Sequence, residues 1–329
     1  MEIDLRLLKH AQALAEHGSF NRAANALNIA QPTLSRGIKE LETRVGLPLF
    51  NRSRSGIVPT DFGRVFLQHA VEVLAEFGNL EREVALAKGL ETGEVSIGMG
   101  PYVAEALAPT CAARFAAAHP AVRLRILMES PAVVARLLRE RAVDLGVAEA
   151  SILEANEDFE VVGRLAPLAA YVVVRAGHPL TAKAHFDIAE VLAYPFAQVV
   201  MLSPRLLKPI LAARQSAMAG EEKPVPPFPA IECPTLRLAS SIVASSNAFT
   251  FATLGMVRAE LDQGLLVPVY RAPWLHAEWS VIRLRKRTMS PAMIAFSAEI
   301  ERTHADVARE EEVLCKQWQQ VANAPAQLA

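Results

Sequence analysis

Apolar residues recur at helical spacing in two short segments near the N-terminus. In the first segment they share one face: Phe20, Ala23, Ala24 and Leu27. This spacing predicts a helix over 20–27 with Ser19 at its N-cap. A turn at 28–30 follows, and Pro32 suits the first position of a second helix. That helix has a buried stripe at spacings of four, three and four: Leu34, Ile38, Leu41 and Val45. The two segments therefore predict a helix-turn-helix.

The opposite face of the second helix is polar. It presents Pro32, Arg36, Lys39 and Thr43, flanked by Thr33 and Ser35, with Gln31 at the leading end. Such side chains donate to base edges and phosphates. A turn over 51–56 adds Arg52 and Arg54 next to this helix, as a wing would. An ordinary helical hairpin with a solvated polar face is the alternative, and the wing arginines favour DNA binding.

A heptad pattern follows the wing. Its apolar positions are Phe66, Ala70, Val73, Phe77, Leu80, Val84 and Ala87. They predict a long helix that ends near Lys88-Gly89, with glycine as the helix stop. Either the helix lies on its own domain, or it pairs with a second copy as a coiled coil. Pairing would give a helix-turn-helix the dimer that it needs to span two half-sites.

The pattern changes after Gly93 to alternating strands and helices. Strands are predicted over 94–99, 123–128, 145–147, 169–175, 196–200, 230–233, 248–252 and 279–283, with helices over 102–118 and 131–141. This order predicts an α/β fold with largely parallel sheets.

Composition narrows the class of protein. A chain of 329 residues with 52% apolar residues suits two or three domains. Residues 1–60 hold 8 basic and 5 acidic side chains, whereas the whole chain has a net charge of −1. No apolar run is long enough to span a membrane, and the charged N-terminus does not resemble a secretory signal, so we expect a cytoplasmic protein. Nonspecific DNA affinity should be modest and should depend on salt.

Candidate cofactor chemistry is sparse. The cysteines, Cys111, Cys233 and Cys315, lie far apart and show no metal spacing, so we expect neither a metal site nor a redox pair. Gly98–Val103 resembles part of a dinucleotide fingerprint but lacks its third glycine. We therefore expect no cofactor.

The chain resembles the LysR-type transcriptional regulators. The residues that carry the resemblance are Leu5, Gly18-Ser19-Phe20, Ala23-Ala24, Leu27, Gln31-Pro32, Leu34-Ser35-Arg36, Ile38, Leu41-Glu42, Gly46, Pro48-Leu49-Phe50, Arg52 and Thr60. One departure is Gly37. The family often has a longer polar residue at this position, so this chain would lack one groove contact. The resemblance implies a winged helix-turn-helix, a linker helix, and a two-lobed α/β effector-binding domain like a periplasmic solute receptor.

The resemblance also sets the expected domain bounds. The DNA-binding domain is placed at 1–60, the linker and dimerisation helix at 61–90, the effector-binding domain at 91–310 and a C-terminal tail at 311–329. Within the effector-binding domain, lobe one comprises 93–165 and 268–300, and lobe two comprises 166–267.

Roles for individual residues follow from the polar face and the resemblance together. DNA contacts are expected from Ser19, Asn21, Gln31, Pro32, Thr33, Ser35, Arg36, Lys39, Arg52 and Arg54. Dimerisation is expected through Phe66, Val73, Phe77, Leu80 and Val84. The implied partners are double-stranded promoter DNA, a small-molecule effector, a second copy in a homodimer or homotetramer, and RNA polymerase.

Turns after the predicted strands supply candidates for the effector site. These are Gly100, Pro101, Tyr102, Glu129, Ser130, Met201, Leu202, Ser203, Thr235, Thr250 and Phe251. Ser130-Pro131 and Ser203-Pro204 are N-cap and first-turn pairs, so these turns either only cap helices or bind a small organic anion. Their convergence on one cleft is implied by the resemblance. Arg205 faces either a carboxylate or solvent, and solvent is the default expectation.

Two other classes of function are weaker. No nucleophile elbow, phosphate loop or HExxH motif supports an enzyme with an appended DNA-binding domain. A plain solute-binding protein would not need the helix-turn-helix. The sequence thus predicts a sequence-specific DNA-binding regulator that a small molecule controls, and not an enzyme.

Overall fold

A computed structural model describes residues 3–53, 56–87, 93–153, 157–218, 226–285 and 287–318. The chain divides into two compact units, Met1–Gly89 and Leu90–Ala329. In the described part of the chain no helix combines the length and apolarity that a membrane crossing needs.

The first unit is a helical domain with a small β-ribbon. Its elements are α1 (Leu5–His17), α2 (Phe20–Ala26), α3 (Gln31–Val45), β1 (Phe50–Ser53), β2 (Gly56–Pro59) and α4 (Asp61–Ala87). The predicted stripes of α2 and α3 pack into one core with α1, which includes Leu7, Leu14, Ala23, Leu34 and Leu41. Strands β1 and β2 pair antiparallel and form the wing.

Helix α1 was not predicted, although its ends carry clear signals. Asp4 caps it by accepting a hydrogen bond from the Leu7 N–H at 2.9 Å. Gly18 ends it in the left-handed region, at a φ of 59°, which favours glycine. The Gly18 carbonyl then accepts a hydrogen bond from the Ile57 N–H at 2.9 Å, so the end of α1 anchors strand β2 of the wing.

The second unit opens with lobe one. Its first elements are β3 (Gly93–Met99), α5 (Pro101–Ala118), β4 (Val122–Met128), α6 (Pro131–Arg139), β5 (Leu145–Glu149), α7 (Ala150–Leu153) and β6 (Phe159–Arg164). Strand β3 pairs in parallel with β4 and β5, as expected for β-α-β units.

Lobe two follows after a short strand. The elements are β7 (Leu168–Ala169), β8 (Tyr171–Arg175), α8 (Ile188–Val191), β9 (Ala197–Gln198), α9 (Pro204–Met218), β10 (Ile231–Glu232), α10 (Leu236–Ala244), β11 (Thr250–Ala252), α11 (Arg258–Asp262) and β12 (Leu266–Tyr270). Strand β8 lies between β11 and β12, and both pairings are antiparallel. Strands β9 and β10 of the same lobe pair in parallel, as predicted. The prediction of largely parallel sheets is wrong for β8 and its two neighbours, because apolar strand patterns do not reveal strand direction.

The chain returns to lobe one through β13 (His276–Ala277), β14 (Trp279–Leu284) and α12 (Pro291–Gln317). Strands β7 and β13 pair antiparallel and are the two crossings between the lobes. Strand β14 then enters the lobe-one sheet antiparallel, which gives the order β4-β3-β5-β14-β6. Residues 268–270 belong to the lobe-two sheet through β12, so the predicted start of the returning lobe-one segment at 268 is too early.

Helix α12 contacts both lobes. Phe296 packs edge-on against Phe115 of α5, with ring centroids 5.0 Å apart. Near the other end the Glu311 carboxylate accepts hydrogen bonds from the Leu254 and Gly255 N–H groups of lobe two, at 3.1 and 2.8 Å. A tail was predicted from 311, but 311–317 is helical and carries buried side chains. The rest of that tail, 319–329, lies outside the described residues.

Candidate functional site

Helix α3 presents the polar face that the spacing predicts. Pro32, Arg36 and Lys39 are exposed, while Leu34, Ile38 and Leu41 are buried against α1 and α2. The Arg36 Nε lies 3.4 Å from the Pro32 carbonyl, which aligns the side chain along the helix. Among the described residues no carboxylate pairs with Arg36 or Lys39, so both cations remain available to an anionic partner.

The leading end of this face is open as well. Gln31, Thr33 and Ser35 are partly exposed, and the N-cap is Ala30, which has no side-chain acceptor. On α2, Ser19 occupies the predicted N-cap position, yet its hydroxyl makes no capping hydrogen bond. Asn21, two residues further along, is exposed. Among the residues that the structure describes, no side chain caps α2 or α3, so these polar groups can bind a partner.

Gly37 has a packing role that the sequence did not reveal. It is buried on α3, where a Cβ would lie 3.0 Å from Cε1 of His10 on α1 and closer still to Nδ1. The expectation that Gly37 costs a groove contact is wrong, because this position faces α1. The glycine lets the imidazole ring of His10 fit between the two helices.

The wing is held by two side chains that were not assigned a role. The Glu42 carboxylate on α3 accepts hydrogen bonds from the Leu49 and Phe50 N–H groups at 2.7 and 3.2 Å. Thr60 donates to the Pro48 carbonyl at 2.9 Å and accepts from the Gly63 N–H at 2.8 Å. These bonds fix β1 and the start of α4 relative to α3.

The two wing arginines are placed only in part. Arg52 lies on β1 opposite Ile57, at the outer half of the ribbon. Arg54 lies outside the described residues. The backbone position of Arg52 places it in the wing, as the pattern predicts.

Helix α4 exposes apolar side chains along its second half. Val73, Leu80 and Val84 are 50%, 54% and 44% exposed, and Phe77 is half-buried. Phe66 does not belong to this surface, because it packs against the core of the first unit. The heptad spacing could not separate the two uses of α4, since one helix continues from the domain into the exposed stripe.

Two adjoining cavities lie in the cleft between the lobes of the second unit. The larger has a volume of about 780 Å³ and the smaller about 60 Å³, and they share Pro101 and the segment 200–202. Predicted residues that line one or both are Gly100, Pro101, Tyr102, Glu129, Ser130, Met201, Leu202 and Ser203. Other lining residues carry no signal in the sequence that singles them out: Met128, Glu149, Leu206 and Phe228.

Three predicted effector residues do not line either cavity. Thr250 is fully buried, and its hydroxyl donates to the Ala197 carbonyl at 2.9 Å. Phe251 belongs to the aromatic core of lobe two, 4.9 Å from Phe196 between ring centroids. Thr235 caps α10 by accepting a hydrogen bond from the Leu238 N–H. They stabilise the lobe, which was the alternative interpretation of these turns.

Three helices begin at the cleft, each with proline in its first turn: α5, α6 and α9. Gly100 has no side chain to cap α5, and the Ser130 hydroxyl makes no capping bond to α6. Ser203, which precedes α9, is 2% exposed, and its Oγ has no hydrogen-bond partner among the described residues. Helix N-termini carry a partial positive charge, so this end of the cleft attracts anions.

A phenol and several carboxylates are also among the polar groups of the cleft. Burial raises the pKa of Tyr102, so its hydroxyl remains protonated and can donate. Glu129 and Glu232 line the larger cavity and are exposed, and Glu149 lines the smaller one. Arg205 does not face solvent as expected; it is half-buried and paired with Glu149 at 3.0 Å.

Comparisons with known proteins assign the family. Residues 5–64 match the model described as "Bacterial regulatory helix-turn-helix protein, lysR family", and residues 88–305 match "LysR substrate binding domain". The chain belongs to the LysR family of DNA-binding transcriptional regulators, whose C-terminal domain binds a small-molecule effector. The predictions of family, fold class and regulatory function are confirmed.

One similar protein is the "SDS degradation transcriptional activation protein" of a Pseudomonas strain, which is 33% identical over 88% of this chain and 92% of its own length. Among solved structures, a full-length OxyR variant from Pseudomonas aeruginosa matches with a TM-score of 0.65, at 22% identity over 94% of this chain and 97% of that one. Full-length CbnR in complex with its target DNA matches with a TM-score of 0.56, at 18% identity over 92% and 100%. These structures share the fold.

Proposed function

We propose that the exposed face of α3 reads operator DNA in the major groove. Gln31, Pro32, Thr33, Ser35, Arg36 and Lys39 would make the contacts there, supported by Ser19 and Asn21 on α2 and by Arg52 and Arg54 on the wing. The observation that carries this proposal is the pair of exposed, carboxylate-free cations Arg36 and Lys39 on a helix whose other face is buried. Binding of the similar protein CbnR to its target DNA supports it.

Selection of duplexes from a random pool tests this proposal. The purified full-length protein should enrich an interrupted palindrome at near-physiological salt. Arg36→Ala should then weaken binding to the selected duplex by about 1–3 kcal/mol and relax one base position. Arg44→Ala is the matched control, because Arg44 lies on α3 but pairs with Glu40. Equal losses in the two variants would contradict base readout by Arg36.

The exposed stripe on α4 supplies the dimer that an interrupted palindrome requires. Val73, Phe77, Leu80 and Val84 would bury one another across two antiparallel or parallel copies, and pairs of dimers would form the tetramer. Leu80→Glu should convert the full-length protein to a smaller species in analytical ultracentrifugation. Phe66→Ala should instead lower the stability of the first unit, because Phe66 packs in its core.

The effector is a small organic anion that binds in the cleft of the second unit. Its anionic group would lie at the N-termini of α5, α6 and α9, where the buried Ser203 hydroxyl is unpaired. Met201, which is 74% exposed, and Leu202 and Leu206 would contact an apolar body. A relative whose name concerns SDS degradation makes alkyl sulfates and alkyl carboxylates a suitable first series.

Isothermal titration of the full-length protein with such a series tests the effector site. Ser203→Ala should weaken binding, because the ligand loses a donor in a buried site. Ser290→Ala is the control, since Ser290 is the N-cap serine of α12 and neither it nor its chain neighbours line either cavity. Unchanged affinity in Ser203→Ala would remove Ser203 from the site.

Ligand binding would act on DNA through the two lobes. A ligand that contacts both lobes favours the closed arrangement in proportion to its differential affinity, and the crossings β7 and β13 would carry the change. Binding without turnover suffices for this role, so we propose no catalytic activity. The protein would act in the cytoplasm at a promoter, where RNA polymerase is the downstream partner.

A further inference from the structure

Arg205 is held in one position by several acceptors. It lies in the first turn of α9, at the cleft, and its Nη1 donates to the Trp274 carbonyl at 3.0 Å. Its Nη2 donates to the His276 carbonyl at 2.8 Å and to the Glu149 carboxylate at 3.0 Å. The Glu278 carboxylate lies 3.7 Å from the Nε but lines neither cavity. Both carbonyls belong to the segment that crosses between the lobes. These two backbone carbonyls hold the guanidinium beside Glu149.

Glu149 is the carboxylate that shares the smaller cavity with Ser203. It ends β5 and lines the same small cavity as Gly100, Tyr102 and Ser203. Its side chain is only 15% exposed, so water screens its charge poorly. Without a cation beside it, a carboxylate there would oppose any anion that approached the three helix N-termini.

We propose that the Glu149–Arg205 pair determines the charge of the effector that the cleft accepts. Arg205 neutralises Glu149, so the helix N-termini dominate the local potential and an anionic head group is favoured. Glu149 in turn keeps the site from holding an excess positive charge. The pair is thus a specificity determinant, and this inference rests on the proposed anionic effector.

The alternative role of the pair is purely mechanical. The ion pair joins α9 of lobe two to β5 of lobe one, so it could simply hold the lobes together. A mechanical role would change the affinity for every ligand in the same direction. A charge-setting role changes the affinities for anions and cations in opposite directions. The direction of these changes therefore distinguishes the mechanical role from the charge-setting role.

The test uses the full-length protein and four probes with the same chain: octyl sulfate, octanoate, octanol and octylammonium, each below its micelle concentration. Arg205→Met exposes the Glu149 charge, so anion affinity should fall on the order of tenfold while octylammonium affinity rises. Glu149→Gln should strengthen anion binding, and the double variant should restore the preference of the parent protein. The affinity for octanol, which carries no charge, should change least in all three variants.

Glu160→Gln is the matched control, because Glu160 pairs with the half-buried Arg283 at 2.7 Å away from both cavities. Circular dichroism and the unfolding temperature show whether each variant folds. If Arg205→Met does not fold, the inference is still tested by Glu149→Gln, which must raise the affinity for anions. Parallel shifts for anions and cations would refute the inference and leave the anionic effector intact. If neither anion binds the parent protein or Glu149→Gln, the anionic effector is wrong and the inference fails with it.

Discussion

Replacing Gly37 by alanine should destabilise the DNA-binding unit. In an open helix position this change stabilises by about 0.5–1 kcal/mol, because alanine restricts the unfolded chain. Here the new methyl group meets the ring of His10, at 3.0 Å from Cε1 and closer to Nδ1. Overpacking of this kind costs about 1–3 kcal/mol. We therefore expect a net loss of roughly 1–2 kcal/mol, since the clash outweighs the backbone gain.

Hydrogen exchange followed by mass spectrometry measures this loss locally in the full-length protein. Amide protection in α1 and α3 should fall by about 5- to 30-fold, which corresponds to 1–2 kcal/mol. Peptides from the second unit provide an internal control and should not change. Fluorescence would not serve, because all three tryptophans, Trp274, Trp279 and Trp318, lie in the second unit.

A double-mutant cycle decides whether His10 is the cause. In a His10→Ala background the ring is absent, so Gly37→Ala should become stabilising by about 0.5–1 kcal/mol. If Gly37→Ala increases protection while His10 is present, the packing argument is wrong. If it lowers protection equally in both backgrounds, another neighbour is responsible.

Three further predictions concern polar side chains that hold their surroundings in place, Glu42, His10 and Glu311. Glu42→Ala leaves two wing N–H groups without their acceptor, so operator affinity measured by fluorescence anisotropy should fall, and protection of the wing amides should drop by about 1–3 kcal/mol. Burial lowers the pKa of His10 below its usual 6.5, so the first unit should be most stable above that pH and lose stability as the pH falls through the lowered value; circular dichroism of the parent and His10→Ala at pH 5 and 7.5 checks this. Glu311→Ala should destabilise the second unit by about 1–3 kcal/mol in urea, monitored by tryptophan fluorescence, whereas unchanged unfolding would show that its two backbone hydrogen bonds contribute nothing.

The sequence alone predicted the DNA-binding unit, Met1–Gly89, in most of its detail. The buried stripe of α3 and its polar face follow from spacing, because a helix converts sequence intervals of three and four directly into faces. The wing follows from the turn at 51–56 that carries two arginines. The family resemblance was carried by the same residues. Glu42 was part of that resemblance, yet its hydrogen bonds to the wing became visible only when residues seven and eight positions apart were placed in space.

The pattern of apolar residues was less informative where one helix packs in a domain core at one end and is exposed at the other. The heptad of α4 assigned Phe66 and Leu80 to one seam, but the first packs in a domain core and the second is exposed. Gly37 was taken as a missing groove contact because the family often has a longer polar residue at this position. The position of α1 decided otherwise, and α1 itself was not predicted.

In the effector domain only the tertiary structure separated binding residues from core residues. Turns after strands carry similar signals whether they line the cleft, as Ser203 does, or complete a lobe, as Thr250 and Phe251 do. Arg205 and Glu149 are 56 positions apart, and no periodicity connects them. Strand direction, lobe crossings and ion pairs are set by long-range packing, whereas helix faces and caps are set by neighbours within one or two turns. That difference in range is why the sequence alone identified a regulator, while the charge and shape of its effector site required the fold.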